Sequence, residues 1–160
     1  MPSLPVQCCT LPPFTSEYEP VGERVKIEVD GKDFELYITG AKDAKYALVC
    51  VYGKLFGPYP SPFLDSITMT DIFGLHKNTL QGADHLAQQC GYKIIVPDFF
   101  RGKPWDINNI PPREGRPALN AWIQEAGAWV TVRPALIAVV ERLRREGAIS
   151  IGVGILQGCS

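Results

Sequence analysis

The sequence predicts an α/β fold, a mostly parallel sheet that opens with an antiparallel hairpin and carries flanking helices. Three observations lead there. Apolar residues alternate with polar ones on either side of Asp30-Gly31, a hairpin signal. Two later runs are apolar without alternation, as in strands covered on both faces, and stretches of helical spacing separate them. The resulting order, β-β-β-α-β-α-α-β, is that of right-handed α/β sheets, whose ligands bind beyond the carboxyl ends of the strands.

Residues 1–21 hold Pro2, Pro5, Pro12, Pro13 and Pro20 without any period and read as an N-terminal arm, so residues 22–160 are the expected domain. Val25, Ile27 and Val29 alternate with Lys26 and Glu28, and Phe34 to Ile38 supplies the second hairpin strand. Tyr46 to Tyr52 is the first buried strand. Leu80, Ala83, Leu86, Ala87 and Cys90 follow helical spacing up to Gly91, a natural residue just past a helix end. Lys93 to Val96 is the next strand, closed by Pro97-Asp98, and residues 98–117 form a proline-rich loop. Trp122, Ile123, Ala126 and Trp129 are expected on one helix. Thr131 is a candidate cap for the next helix, striped by Leu136, Val139, Val140 and Leu143, with Arg142, Arg144 and Arg145 as a solvated face that suits the helix dipole. Ile149 to Val153 is a final strand.

Composition narrows the function. The chain has 160 residues, close to one domain, and a formal net charge of −1. No excess of positive charge is available for phosphates or anionic lipid, which argues against nucleic-acid and membrane-surface binding. No run approaches the roughly 20 apolar residues of a bilayer-spanning helix, and the first residues lack the pattern of a secretory signal. Five cysteines without CxxC or Cys/His spacing read as free thiols, with a cytoplasmic location expected and no metal site.

Two loops at expected strand ends carry chemistry. The first reads Asp71-Ile72-Phe73-Gly74, the second Pro97-Asp98-Phe99-Phe100-Arg101-Gly102, which places a guanidinium suited to a carboxylate just past a strand. Together with Cys8-Cys9, these segments resemble fungal members of the dienelactone hydrolase family, within the α/β-hydrolase superfamily, from about Cys8 to Val153. The resemblance implies hydrolysis of a lactone or carboxylic ester by a Cys or Ser nucleophile, with no metal or organic cofactor. It implies a small substrate that itself bears a carboxylate. Asp71 then falls where the family has an acidic residue beside the nucleophilic thiol, Ile72 offers its backbone N–H to the oxyanion, and Arg101 holds the substrate carboxylate.

The sequence departs from that pattern twice. Residues 53–70 separate the strand from Asp71, where family members run almost directly between them; without a regular period they read as a lid or unpaired loop, or as a retained intron translated as protein. Past Val153 the chain reads Gly154-Ile155-Leu156-Gln157-Gly158-Cys159-Ser160, without the G-x-[CS]-x-G elbow that carries the nucleophile. Neither His76 nor His85 occupies the family's base position, and both read as structural or surface residues. The expected protein is therefore a partial α/β-hydrolase domain, with catalysis impaired because loss of a triad costs on the order of 10⁶ in kcat. The competing expectation is a non-catalytic binding or interaction protein that keeps Arg101 as an anion-binding group.

Overall fold

A computed structural model describes residues 17–51, 72–110 and 112–154. The strands are β1 (Glu23–Val29), β2 (Lys32–Thr39), β3 (Tyr46–Cys50), β4 (Lys93–Pro97) and β5 (Ser150–Gly154); the α-helices are α1 (Lys77–Cys90), α2 (Arg116–Ala126) and α3 (Trp129–Arg145). They form one sheet in the order β1-β2-β4-β3-β5. The hairpin pairs antiparallel, β2 pairs antiparallel with β4, and β4-β3 and β3-β5 are parallel. Among the described strands β2 alone runs against the other four, so the architecture is the α/β arrangement that the alternation of buried strands and helices predicts.

The unbroken apolar runs lie where both faces are covered. Every residue of β4 is buried, and Val49, Ile94 and Val96 are fully enclosed. Helix α1 buries Leu80, Ala83 and Ala87 on the spacing read from the sequence, and Gly91 ends it in the left-handed conformation at φ 66°. His76 caps its start, Nδ1 accepting from the Asn78 amide at 3.4 Å. The last helix buries Val132, Ala135, Val139 and Leu143, a stripe one turn wider toward its start than Leu136, Val139, Val140 and Leu143 suggest.

Two expectations about the helices are corrected. Trp122 and Trp129 are not on one helix: α2 ends at Ala126, Gly127-Ala128 breaks the chain, and α3 leaves at 45° from Trp129. Thr131 is therefore inside α3 rather than at its cap, which is Ala128, whose carbonyl accepts from the Thr131 and Val132 amides. The helical apolar spacing continues in register across Gly127, so periodicity alone does not reveal the break. Arg142 also differs from its exposed neighbours, because it is half-buried and bonds Glu146 at 2.7 Å, while Glu146 bonds the buried Lys93 at 3.2 Å.

A second polar cluster joins the hairpin to α1. Asp84 is 1% exposed and accepts from the Tyr37 hydroxyl at 2.8 Å, the Tyr18 hydroxyl at 3.1 Å and the Val21 amide at 3.1 Å. Tyr37 in turn accepts from the Gly22 amide at 2.7 Å. A Cβ at Gly22 would lie 2.5 Å from the Ile38 carbonyl and 2.6 Å from the Tyr37 ring, so this close approach needs glycine. Burial, and then the Asp84 hydrogen bond, push the Tyr37 hydroxyl well above its ordinary pKa, so it stays a donor at any physiological pH.

Candidate functional site

Parallel strands β3, β4 and β5 point the same way, so the loops that leave their carboxyl ends lie on one rim of the sheet. The loop after β4 is held by its own backbone. Asp98 N–H donates to the Glu35 carbonyl at 2.9 Å, Arg101 N–H to the Asp98 carbonyl at 3.0 Å and Lys103 N–H to the Phe100 carbonyl at 2.9 Å. The side chain of Asp98 closes the turn by accepting from the Gly102 amide at 2.6 Å. Arg101 and Gly102 both adopt positive φ, 51° and 73°. For arginine that conformation costs roughly 1–2 kcal/mol, and such strain is held only where surrounding structure fixes it.

Aromatic packing anchors the loop. Phe99 meets Phe34 with ring centroids 6.0 Å apart, Phe100 meets Trp122 at 4.9 Å, and Trp105 meets Trp122 at 5.5 Å. Offset contacts of this kind contribute about 0.5–1.5 kcal/mol each beyond the area they bury. The Trp105 amide donates to the Ile72 carbonyl at 2.9 Å, and that bond ties the segment beginning at Ile72 to the loop after β4.

The guanidinium of Arg101 stands over the Phe34 ring, 5.4 Å from its centroid, and its buried Nη1 has no hydrogen-bond partner. A buried cationic donor left unbonded costs about 1–3 kcal/mol or more. A second orphan lies in the same loop. Asp98 is 7% exposed, and its Oδ1 has no partner. Burial raises the Asp98 pKa and the nearby Glu35 carboxylate adds to this, against the Gly102 and Phe100 amides and Arg24, which lower it. The two orphans face different surroundings: Arg101 rests on Phe34, whereas the charged neighbours of Asp98 are Glu35 and Arg24, themselves paired at 2.7 Å.

Of the residues expected in the site, Ile72 and Arg101 are brought to the same rim, where Ile72 accepts from the amide of Trp105 in the loop that also holds Arg101. Asp71, the segment 53–70, Cys8, Cys9 and Cys159 lie outside the described residues. His85 is exposed on α1 and stacks loosely with Tyr18 at 6.1 Å, and His76 serves as the helix cap. Cys50, at the end of β3, is enclosed, and burial pushes its thiol up to about 12, which leaves it protonated and unreactive. Among the described residues no group of three His, Cys, Asp or Glu side chains could hold a metal ion, and no single helix is long and apolar enough to cross a membrane. Sequence reasoning overlooks Asp98. Its one signal is an aspartate four residues ahead of Gly102, a pairing suited to closing a turn.

Comparison with known proteins gives partial matches. No protein-family model matches the chain. It is 32% identical over 95 residues to an uncharacterised AIM2 family protein of Schizosaccharomyces pombe, a match spanning 58% of this chain and 38% of the relative. A second uncharacterised AIM2 family protein of the same yeast is 27% identical over 152 residues, 92% of this chain and 51% of the relative. The chain thus spans about half, or less, of the length of the curated relatives it matches. Among solved structures, a PEG-bound complex of a cold-adapted esterase from an Arctic intertidal metagenomic library superposes with a TM-score of 0.49 at 14% identity, covering 89% of this chain and 56% of the esterase.

Proposed function

We propose that the chain carries part of the active site of a hydrolase of dienelactone hydrolase type, acting on a small lactone or carboxylic ester that bears a carboxylate. The observation that carries the reading is Arg101: a strained arginine with a buried, unbonded Nη1 at the carboxyl end of a parallel strand, beside the loop of Ile72. A substrate carboxylate supplies the missing acceptor, and the fork of guanidinium donors fixes its orientation. In this reading the Ile72 N–H donates to the oxyanion that forms when a thiolate or alkoxide adds to the acyl carbon, and Asp71 lies beside that nucleophile. Residues 22–160 form the domain and residues 1–21 the arm, in a cytoplasmic protein that uses no metal or organic cofactor and meets neither nucleic acid nor membrane. The non-catalytic alternative keeps Arg101 and omits the chemistry.

The first test is binding. Succinate titrated into the chain and followed by NMR is expected to bind saturably, and Arg101→Ala to abolish binding. Arg101→Lys, which keeps charge but loses the fork, should weaken it about tenfold, equivalent to about 1.4 kcal/mol. Binding unaffected by Arg101→Ala overturns the reading. Turnover of a small activated ester that disappears in Cys159→Ala favours the enzyme, and turnover at the background rate favours the binding protein.

A further inference from the structure

From the loop geometry we infer that Asp98 is the positioning residue of the Arg101 site, holding the arginine in its left-handed conformation and joining its loop to the segment of Ile72. The inference rests on the proposed role of Arg101 and adds a residue to it. Asp98 makes two contacts that define the turn: its carbonyl accepts from Arg101 N–H at 3.0 Å, and its Oδ2 accepts from Gly102 N–H at 2.6 Å. These are the amides of the two consecutive residues at positive φ, 51° and 73°. Without an acceptor at Oδ2 the Gly102 amide loses its partner, and the left-handed backbone at Arg101 reverts to the ordinary regions that arginine prefers. The guanidinium would then leave the Phe34 face.

The other oxygen makes the link to the neighbouring segment. Gly74 is buried, at φ 65°, and a Cβ there would lie 3.6 Å from Asp98 Oδ1 and 3.3 Å from the Pro104 Cβ. Asp98 therefore lies against Gly74, two residues past Ile72, while it shapes the Arg101 turn. A carboxylate used only to fill space is replaceable by any residue of similar size, whereas one that sets a turn needs an acceptor in the position of Oδ2. Asp98→Asn keeps such an acceptor and Asp98→Ala does not.

The test uses the full chain and two readouts. Amide hydrogen exchange at Gly102 requires no ligand: it should quicken at least about tenfold in Asp98→Ala, since each factor of ten is about 1.4 kcal/mol of lost protection, and return toward the parent rate in Asp98→Asn. Succinate binding should weaken at least about tenfold in Asp98→Ala and stay within about threefold in Asp98→Asn, without tracking the melting temperature of either variant. Should Asp98→Ala fail to fold, Asp98→Ser, with a shorter acceptor, takes its place and is expected to fall between the two. Unchanged Gly102 exchange in Asp98→Ala, or equal loss in Asp98→Ala and Asp98→Asn, overturns the positioning role. If the parent chain does not bind succinate while Gly102 exchange responds as stated, the substrate reading of Arg101 fails and the turn-setting role of Asp98 stands.

Discussion

Asp84 and Asp98 are two aspartates enclosed in the same sheet domain, at 1% and 7% exposure, and they are treated in opposite ways. Asp84 collects two tyrosine hydroxyls and a backbone amide, with both its oxygens in use. Asp98 is met by backbone amides alone, Gly102 at 2.6 Å and Phe100, and its Oδ1 has no partner. A buried carboxylate is tolerable when its lone pairs are satisfied, and costs several kcal/mol when they are not. Asp84 is a clasp: it holds Tyr18 and Val21, just ahead of β1, against α1. The loop of Asp98 keeps two unbonded polar atoms and a strained arginine at the rim where ligands of such sheets bind, the pattern of a site that trades stability for preorganisation.

The largest effect should come from breaking the clasp. Asp84→Ala leaves the buried Tyr37 hydroxyl and the Val21 amide without their acceptor, a loss of about 3–5 kcal/mol, and thermal melting by circular dichroism should fall by about 10 °C or more. Arg101→Ala is expected to have the opposite character. It removes an unbonded cationic donor and leaves the Cβ with its left-handed strain unchanged, so stability should stay within about 1 kcal/mol of the parent or rise. A drop comparable to that of Asp84→Ala would show Arg101 to be structural.

The contrast also explains what the sequence disclosed. Strand and helix identities were legible because burial imposes period: Val25, Ile27 and Val29 alternate on an edge hairpin, while Lys93 to Pro97, enclosed on both faces, do not. Arg101 and Ile72 could be placed on one rim because connected parallel strands put their following loops on the same side. The clasp was not legible, since Asp84 meets Tyr37 and Tyr18 across 47 and 66 residues and resembles any polar residue on a helix. Nor was the break between α2 and α3, because Gly127 interrupts the chain without disturbing the apolar spacing. Asp98 stood in plain view beside Arg101, but its role lies in a backbone turn that residue types only hint at.

A smaller effect is expected at Gly74. Alanine there must hold φ 65° and sit 3.3 Å from the Pro104 Cβ, costing about 1–2 kcal/mol, so chemical denaturation should shift to lower denaturant with an unchanged slope. Because a Cβ at Gly74 would meet Asp98 Oδ1 at 3.6 Å, the same substitution should also weaken succinate binding relative to an exposed control such as Gly82→Ala, which meets nothing within 4 Å.

The subtlest consequence is a pair of opposed pH dependences. At Glu146, burial alone raises the carboxyl pKa, but hydrogen bonds from Arg142 and Lys93 outweigh it and hold the group below its ordinary value. Such a carboxylate contributes stability above its unfolded pKa and loses it as pH falls through the lowered folded value. Asp98 has the reverse sign. Its folded pKa is raised by burial, so its charge burdens the fold at neutral pH, and the burden is relieved as acidification protonates the native carboxyl ahead of the unfolded one. Stability measured by urea unfolding from pH 7 down to pH 3 should therefore fall less steeply in Glu146→Gln than in the parent, and more steeply in Asp98→Asn, which lacks the compensating gain. A slope in Asp98→Asn equal to that of the parent would show that Asp98 carries no desolvation burden and that its unbonded oxygen is satisfied in solution, which would reduce the difference between the two aspartates to one of partners alone.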